Sequence, residues 1–290
     1  MEELLENLFD DQSIQDKVIL NLPIESPFGE LKPLSIHDYM QRLSSISVIS
    51  LNKKYLLAEY GKGYQEETGQ TDNEIFTMLK DLNEKYSLFY FLREMFQDLL
   101  HHYIIITRYV KFYDYQYDKK NPQSRKDFDE NSDDDTPLSE KEFTEAILEK
   151  CIQFVFSLDD DQFELYRKYI LQLHGQSEPR AFLNPKLQRN EEKSKASKLK
   201  KKDTTPTLST MVTSCAVYMG VDYSDIMKWN ALQLQHSFQR ISLFIQNNAT
   251  TLFATVTSEV DLVNWSENIT DNEKKEDMTL DTFRQNVSGV

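Results

Sequence analysis

Few residues in this chain have the types and spacing that chemistry requires. The densest acidic groups are Asp133, Asp134 and Asp135, and then Asp159, Asp160 and Asp161. A calcium loop alternates its ligands around a central glycine and ends in a distal glutamate, and neither group follows that order. The first reads as a solvated linker. The second places negative charge at a helix N-terminus, where the macrodipole favours it. His101 and His102 are neighbours on an expected helix, with Asp98 one turn before His102. Adjacent helical residues face different directions, so the two imidazoles do not share an ion readily. No HExxH spacing occurs and no serine stands in a GxSxG elbow. Cys151 and Cys215 are too far apart for a zinc pair and too few for a disulfide scaffold, and are expected reduced and buried. The reading is therefore of no enzyme: no catalytic, metal or cofactor-binding residue is assigned, and no cofactor is expected.

The sharpest local pattern is CAVYMGVDYSDIMKWN at 215–230. Ala216, Gly220 and Ile226 fall at the small–glycine–aliphatic spacing of a helix-turn-helix. The small residue lets two helices approach, glycine turns the chain, and the aliphatic residue fills the angle between them. A DNA-binding regulator using residues 208–245 is one reading, with a recognition helix starting at Asp222. Asp222 and Asp225 oppose it, because they stand where phosphates or base edges would come. The lysines from Lys193 to Lys202 could act as an electrostatic arm. They could also attract the acidic stretch 127–135 and hold a closed state until a partner binds.

Across the whole chain, 33 basic residues face 48 acidic ones, a net charge of −15. Nucleic-acid and anionic-lipid contacts need a surplus of Lys and Arg, so neither partner is expected. The acidic start MEELLENLFDD differs from the basic opening of a signal peptide, and no uncharged apolar run approaches a membrane span. The expected setting is the cytoplasm, with no membrane partner. Only 7 glycines occur, which argues against phosphate-binding loops and all-β folds and toward helix.

The elements that must position any site are mainly α. Residues 1–12 read as a short amphipathic helix, and KVILNLPIESPFGELKPL as a small hairpin. Ser35 with Asp38 opens a helix over IHDYMQRLSSI. GKGYQEETGQTD (61–72) reads as a loop whose Thr71 or Asp72 caps the next helix. From Ile75 to about Val110, apolar residues recur at alternating threes and fours, the seam of one long helix of ~54 Å. Ser139 with Glu142 forms a capping box, Ser157 or Asp159 opens the next helix, and Gly175 closes it. These two read as an antiparallel hairpin. Over 227–245, Met227, Ala231, Leu234, Phe238, Ile241 and Ile245 repeat the helical spacing, and 250–265 is read as helix rather than strand.

The fold expected is thus mainly α: helical bundle-like bodies with a small N-terminal β-hairpin and two flexible linkers. The divisions are an N-terminal region with the hairpin and long helix (1–117), an acidic linker (118–137) and a helical hairpin (138–183). A Lys-rich linker (184–206), a C-terminal helical region (207–270) and a polar tail (271–290) complete the chain.

DIMKWNALQLQHSFQRISLFIQNNATTLFATV with VDLVNWSENI, and KVILNLPI leading into PLSIHDYMQRL, resemble proteins from the tail-morphogenesis region of large tailed phages. These are the tail-assembly chaperones and baseplate-assembly proteins of phages of low-GC Gram-positive hosts. The resemblance covers about half the chain, and the 118–137 and Lys-rich segments depart from the shorter family members. It implies a non-enzymatic assembly factor, acting in the host cytoplasm, that holds tape-measure, tail-tube or baseplate subunits until they polymerise. A structural component that stays in the virion tail is the alternative it leaves open. Aromatics dominate interface energetics, so the partner-binding candidates are Phe89, Phe91, Leu92 and Phe96, then Trp229, Phe238 and Phe244.

Overall fold

The computed structural model describes residues 12–115, 139–200, 206–257 and 264–266. The expected helix at 1–12 lies almost wholly outside these residues, and the acidic linker at 118–137, with its stretch 127–135, and the polar tail at 271–290 lie wholly outside. Among the described residues the chain is mainly helical with one two-stranded antiparallel hairpin. They fall into two units. One takes the residues up to 200 together with Met227–Gln233; the other takes Pro206–Ile226 and the residues from Leu234 onward.

The first unit opens with α1 (Gln12–Ile19) and the hairpin strands β1 (Ile24–Ser26) and β2 (Gly29–Leu31). Ile24 pairs with Leu31 and Ser26 with Gly29. Gly29 has φ +90, which an L-residue rarely adopts, so the tight return needs glycine there. The hairpin tip carries Phe28, whose ring meets Tyr166, Phe154 and Tyr169 edge-on at 5.4, 6.2 and 6.3 Å. Edge-to-face rings at these separations are favourable pairs. The tip is therefore anchored in the unit's own aromatic core.

Helices α2 (Ile36–Gln41) and α3 (Leu43–Ser50) come next, with the Ser35 hydroxyl accepting from the Asp38 N–H as expected. The single expected helix is split by Arg42 (φ −119, ψ 19). Residues 61–68, expected as a loop, continue α4 (Lys53–Thr68) instead. Gly61 explains why a costly helical glycine is kept: a Cβ there would meet Leu79 Cδ1 at 2.9 Å, so glycine lets the next helix approach. Gly69 then closes α4 in the left-handed conformation, and Thr71 with Glu74 forms the capping box of α5 (Asp72–Lys85).

The long seam at 75–110 is not one helix. It breaks into α5, α6 (Leu88–Glu94) and α7 (Gln97–Val110). Tyr86 is extended (φ −120, ψ 139), Ser87 caps α6 through the Tyr90 N–H, and Phe96 (φ −135, ψ 51) interrupts the chain again. The apolar spacing persists across both breaks because every segment still buries one stripe: Ile75 and Leu79, then Phe89 and Leu92, then Tyr103, Ile106 and Val110.

Helix α8 (Glu140–Ser157) carries the expected capping box at Ser139. Of the two openings expected for α9 (Asp160–Leu173), Asp159 is the one used, in a capping box with Gln162, and Gly175 has φ 61. They do not form an isolated hairpin. α8 packs chiefly on α7, whereas α9 packs on α6 and α3. Phe89 stacks on Phe163 at 4.6 Å, joining α6 to α9. Arg167, 1% exposed, crosses this core and donates to the carbonyls of Ile49 and Ser50 and to Glu178. The Lys-rich stretch expected as a linker is helical over α10 (Pro185–Lys200). Arg189 pairs with Asp72 at 2.9 Å, and Lys62 pairs with Glu192, tying α10 to α5 and α4.

A late segment completes this unit. Trp229 O accepts the Ile36 N–H at 2.6 Å, Met227 O accepts the His37 N–H at 3.1 Å, and Ser35 bridges Asn230. The fully buried Asn230 donates to Val18 O, and Gln233 donates to Ile19 O, both at 2.6 Å. Asn230 and Gln233 also exchange backbone–side-chain bonds of 2.8 Å, a reciprocal cap at the start of α13 (Ala231–Ala254).

In the second unit, Thr207 caps α11 (Leu208–Met219), and Gly220 (φ 65) ends it. The helix after the turn, α12 (Tyr223–Ile226), is a single turn, and α13 comes after it. The long helix expected from Asp222 thus begins only at Ala231. It runs to Ala254, so the first part of 250–265 is helical.

Candidate partner-binding surface

Of the seven residues expected at a partner contact, Phe89, Phe91, Leu92, Phe96 and Trp229 lie in the first unit, and Phe238 and Phe244 in the second. Phe89, Phe91 and Leu92 are buried in the first unit, and Phe96 is half-buried with its ring 5.4 Å from Phe91. These four are core. Trp229 is half-buried and acts through its backbone carbonyl. Phe238 is half-buried on α13. Phe244 alone of the seven is exposed, with Trp265 edge-on at 5.8 Å. An aromatic stripe reports burial, and a sequence does not say which neighbour buries it.

Of the groups weighed for chemistry, Asp133–Asp135 lie outside the described residues, while Asp159 and His102 have structural partners. Asp159 caps α9 through the Gln162 N–H at 2.8 Å. His102 Nδ1 lies 3.0 Å from Ser45 Oγ; burial, with His101 beside it, lowers its pKa. Among the described residues no three His, Cys, Asp or Glu side chains gather as a metal site would require. Cys151 and Cys215 are free and buried, and burial pushes the Cys151 thiol up to about 11. A groove of about 600 Å³ runs along α5, lined among others by Tyr64, Thr77, Met78, Asp81, Lys85 and Tyr86. Neither serine, cysteine nor histidine lines it. Its Glu74 accepts from Thr71, which holds that carboxyl below its ordinary value.

The helix-turn-helix spacing at 215–230 is realised, but with a different outer face. Ala216 and Ile226 are buried and Gly220 is left-handed, as the corner requires. With α12 only one turn long, no recognition helix begins at Asp222. What the corner presents is Val217 (80% exposed), Tyr218, Met219 and Tyr223, with Asp222 and Asp225 also exposed. The signal for these residues was legible. TLSTMVTSCAVYM is apolar on more than one side, yet one helix buries one stripe, here Val212, Cys215 and Ala216.

The rest of the second unit is similarly apolar outside. α13 buries only Leu234 among the described residues, while Ile245, Leu252 and Phe253 are exposed. No helix among the described residues is long and apolar enough to cross a membrane. The candidate site is thus an open apolar surface on helices in an acidic chain.

Residues 199–270 match the family described as YomV second domain. Over 256 residues, 88% of this chain and 89% of the relative, the sequence is 26% identical to the SPbeta prophage-derived uncharacterized protein YomV of Bacillus subtilis (strain 168). No solved structure matches. The similarity supports a phage origin and shows no tail-assembly or baseplate family.

Proposed function

We propose that the chain is a phage-encoded, non-enzymatic assembly factor that holds structural tail or baseplate subunits during morphogenesis. The observation that carries this reading is the α11–α12 corner. A solvent-facing cluster of Val217, Tyr218, Met219 and Tyr223, flanked by Asp222 and Asp225, suits an apolar protein segment with basic flanks and repels phosphate. The net charge of −15 keeps such a surface soluble. The relative's prophage origin agrees with this setting.

The test is affinity capture of the tagged chain from phage-producing cells, with mass spectrometry of captured proteins and of purified particles. Tape-measure, tail-tube or baseplate subunits should be captured, and Met219→Glu with Tyr223→Glu should release them. The chain itself should be absent from finished particles. Its presence there at fixed stoichiometry makes it a virion component instead. Capture of nucleic acid in place of tail proteins, weakening steeply with salt, would overturn the reading.

A further inference from the structure

The second half of α13 has an unusual composition for this protein. From Ile241 to Thr257 not one residue is charged, in a chain where 28% of residues are. Helical spacing puts Ile241, Ile245, Asn248 and Leu252 on one stripe, at the alternating threes and fours of a two-helix seam. Ile245 and Asn248 are exposed, and Leu252 is 70% exposed. A solvated seam of this kind costs free energy unless something covers it.

We infer that this seam is a self-association surface: two copies of the chain pair through residues 241–256 of α13 and its C-terminal end, with their Asn248 side chains at the same level.

Charge fixes where two copies of this chain can meet. Each molecule carries −15, so two copies repel everywhere except at an uncharged face. The 241–257 stretch is such a face. It sets no carboxylate against its counterpart in a second copy, and the remaining long-range repulsion between copies is what added salt screens. Asn248 gives the same answer. A lone polar residue on an apolar seam is desolvated unless its partner supplies an amide at the same level, and Asn carries both donor and acceptor. A second copy supplies that group by symmetry. The exposed Ile245, Leu252, Phe253 and Val256, with Phe244 at the edge, also provide enough surface. Pairing removes on the order of 1,000 Å² from water over both copies, the lower bound for a specific interface. The face used differs from the 217–223 corner, so pairing stands independently of the assembly-factor role.

The experiment is sedimentation velocity on the full chain between about 1 and 100 µM. The expected result is a concentration-dependent species of twice the 34.2 kDa chain mass. Added salt should tighten it, because salt screens the repulsion between acidic copies and leaves an apolar seam intact. Leu252→Glu should weaken pairing at least about tenfold with unchanged far-UV circular dichroism, since that position is exposed in the monomer. Asn248→Cys should cross-link two chains on oxidation with diamide, as the native cysteines are buried. A wild-type monomer throughout this range overturns the inference. So does a dimer that survives Leu252→Glu, or one that salt dissolves. Loss of tail-protein capture with the dimer intact would count against the proposed function and leave self-association standing.

Discussion

Arg167→Met removes a buried guanidinium that crosses the first unit's core while nearly keeping its volume. In the wild type Nε donates to Ile49 O and Nη2 to Ser50 O, both at 2.9 Å, and Nη1 reaches Glu178 at 2.6 Å. Ile49 and Ser50 close α3, so their carbonyls have no intrahelical donor and the arginine fork is their cap. Methionine leaves both without a donor, at about 1–3 kcal/mol for a buried carbonyl, with the half-buried Ser50 at the low end. Glu178 can turn to solvent and adds little. The better burial of a thioether offsets part of the loss, leaving a net of about 2–4 kcal/mol. With a urea m-value of about 2 kcal/mol/M, the midpoint of the first unit's transition falls by about 1–2 M. Urea titration monitored by far-UV circular dichroism reads this directly. Two companion variants sharpen the test. Glu178→Gln, which keeps an acceptor, should cost under about 1 kcal/mol. Arg167→Lys should be nearly as damaging as methionine, because one ammonium cannot serve both carbonyls in the geometry of the fork. A midpoint moved by less than about 0.3 M in Arg167→Met, or a lysine variant as stable as wild type, refutes the capping role.

His174 is fully enclosed and neutral, accepting the Leu34 N–H at Nε2 and donating from Nδ1 to Ile170 O. Burial lowers its pKa from 6.5 to about 4, so the unfolded chain binds the proton more tightly. About 3 kcal/mol of stability is therefore present above pH 6.5 and is lost as pH falls through 4. Thermal melts across that window should show this slope, and His174→Gln should flatten it. Asn230→Ala removes a buried donor to Val18 O and the cap of α13, and should cost about 2–3 kcal/mol in urea unfolding. Asn230→Asp keeps the cap but not the donor and should recover only part of that loss. Cys151 and Cys215 should be inert to a thiol-titrating disulfide reagent in the native protein, and both should react in denaturant.

Capping signals were legible in the sequence because each is a local event. Ser35, Thr71, Ser139 and Asp159 all open helices where their side chains can meet an N–H two or three residues on. The hairpin at Ile24–Leu31 and the left-handed glycines at 175 and 220 arise from equally short-range sterics. The mainly helical class was also visible, from few glycines and apolar spacing of threes and fours. Tertiary structure decided everything that depends on which surface meets which. The seam from Ile75 to Val110 looks continuous, yet it is cut at Tyr86 and Phe96, because three short helices can each turn the same stripe toward one core. Gly61 looks like a loop residue and is instead a point inside α4 where Leu79 of α5 packs against the bare backbone. Phe89, Phe91 and Leu92 share their composition with an interface, but α9 packs against their helix and they are core. Val217, Tyr218 and Leu252 have the same apolar character and stay in solvent. Hydrophobic free energy depends on area removed from water and carries no record of which neighbour removes it. A single sequence therefore states that a segment carries an apolar stripe, and only the packed chain shows which stripes it buries and which it leaves in solvent.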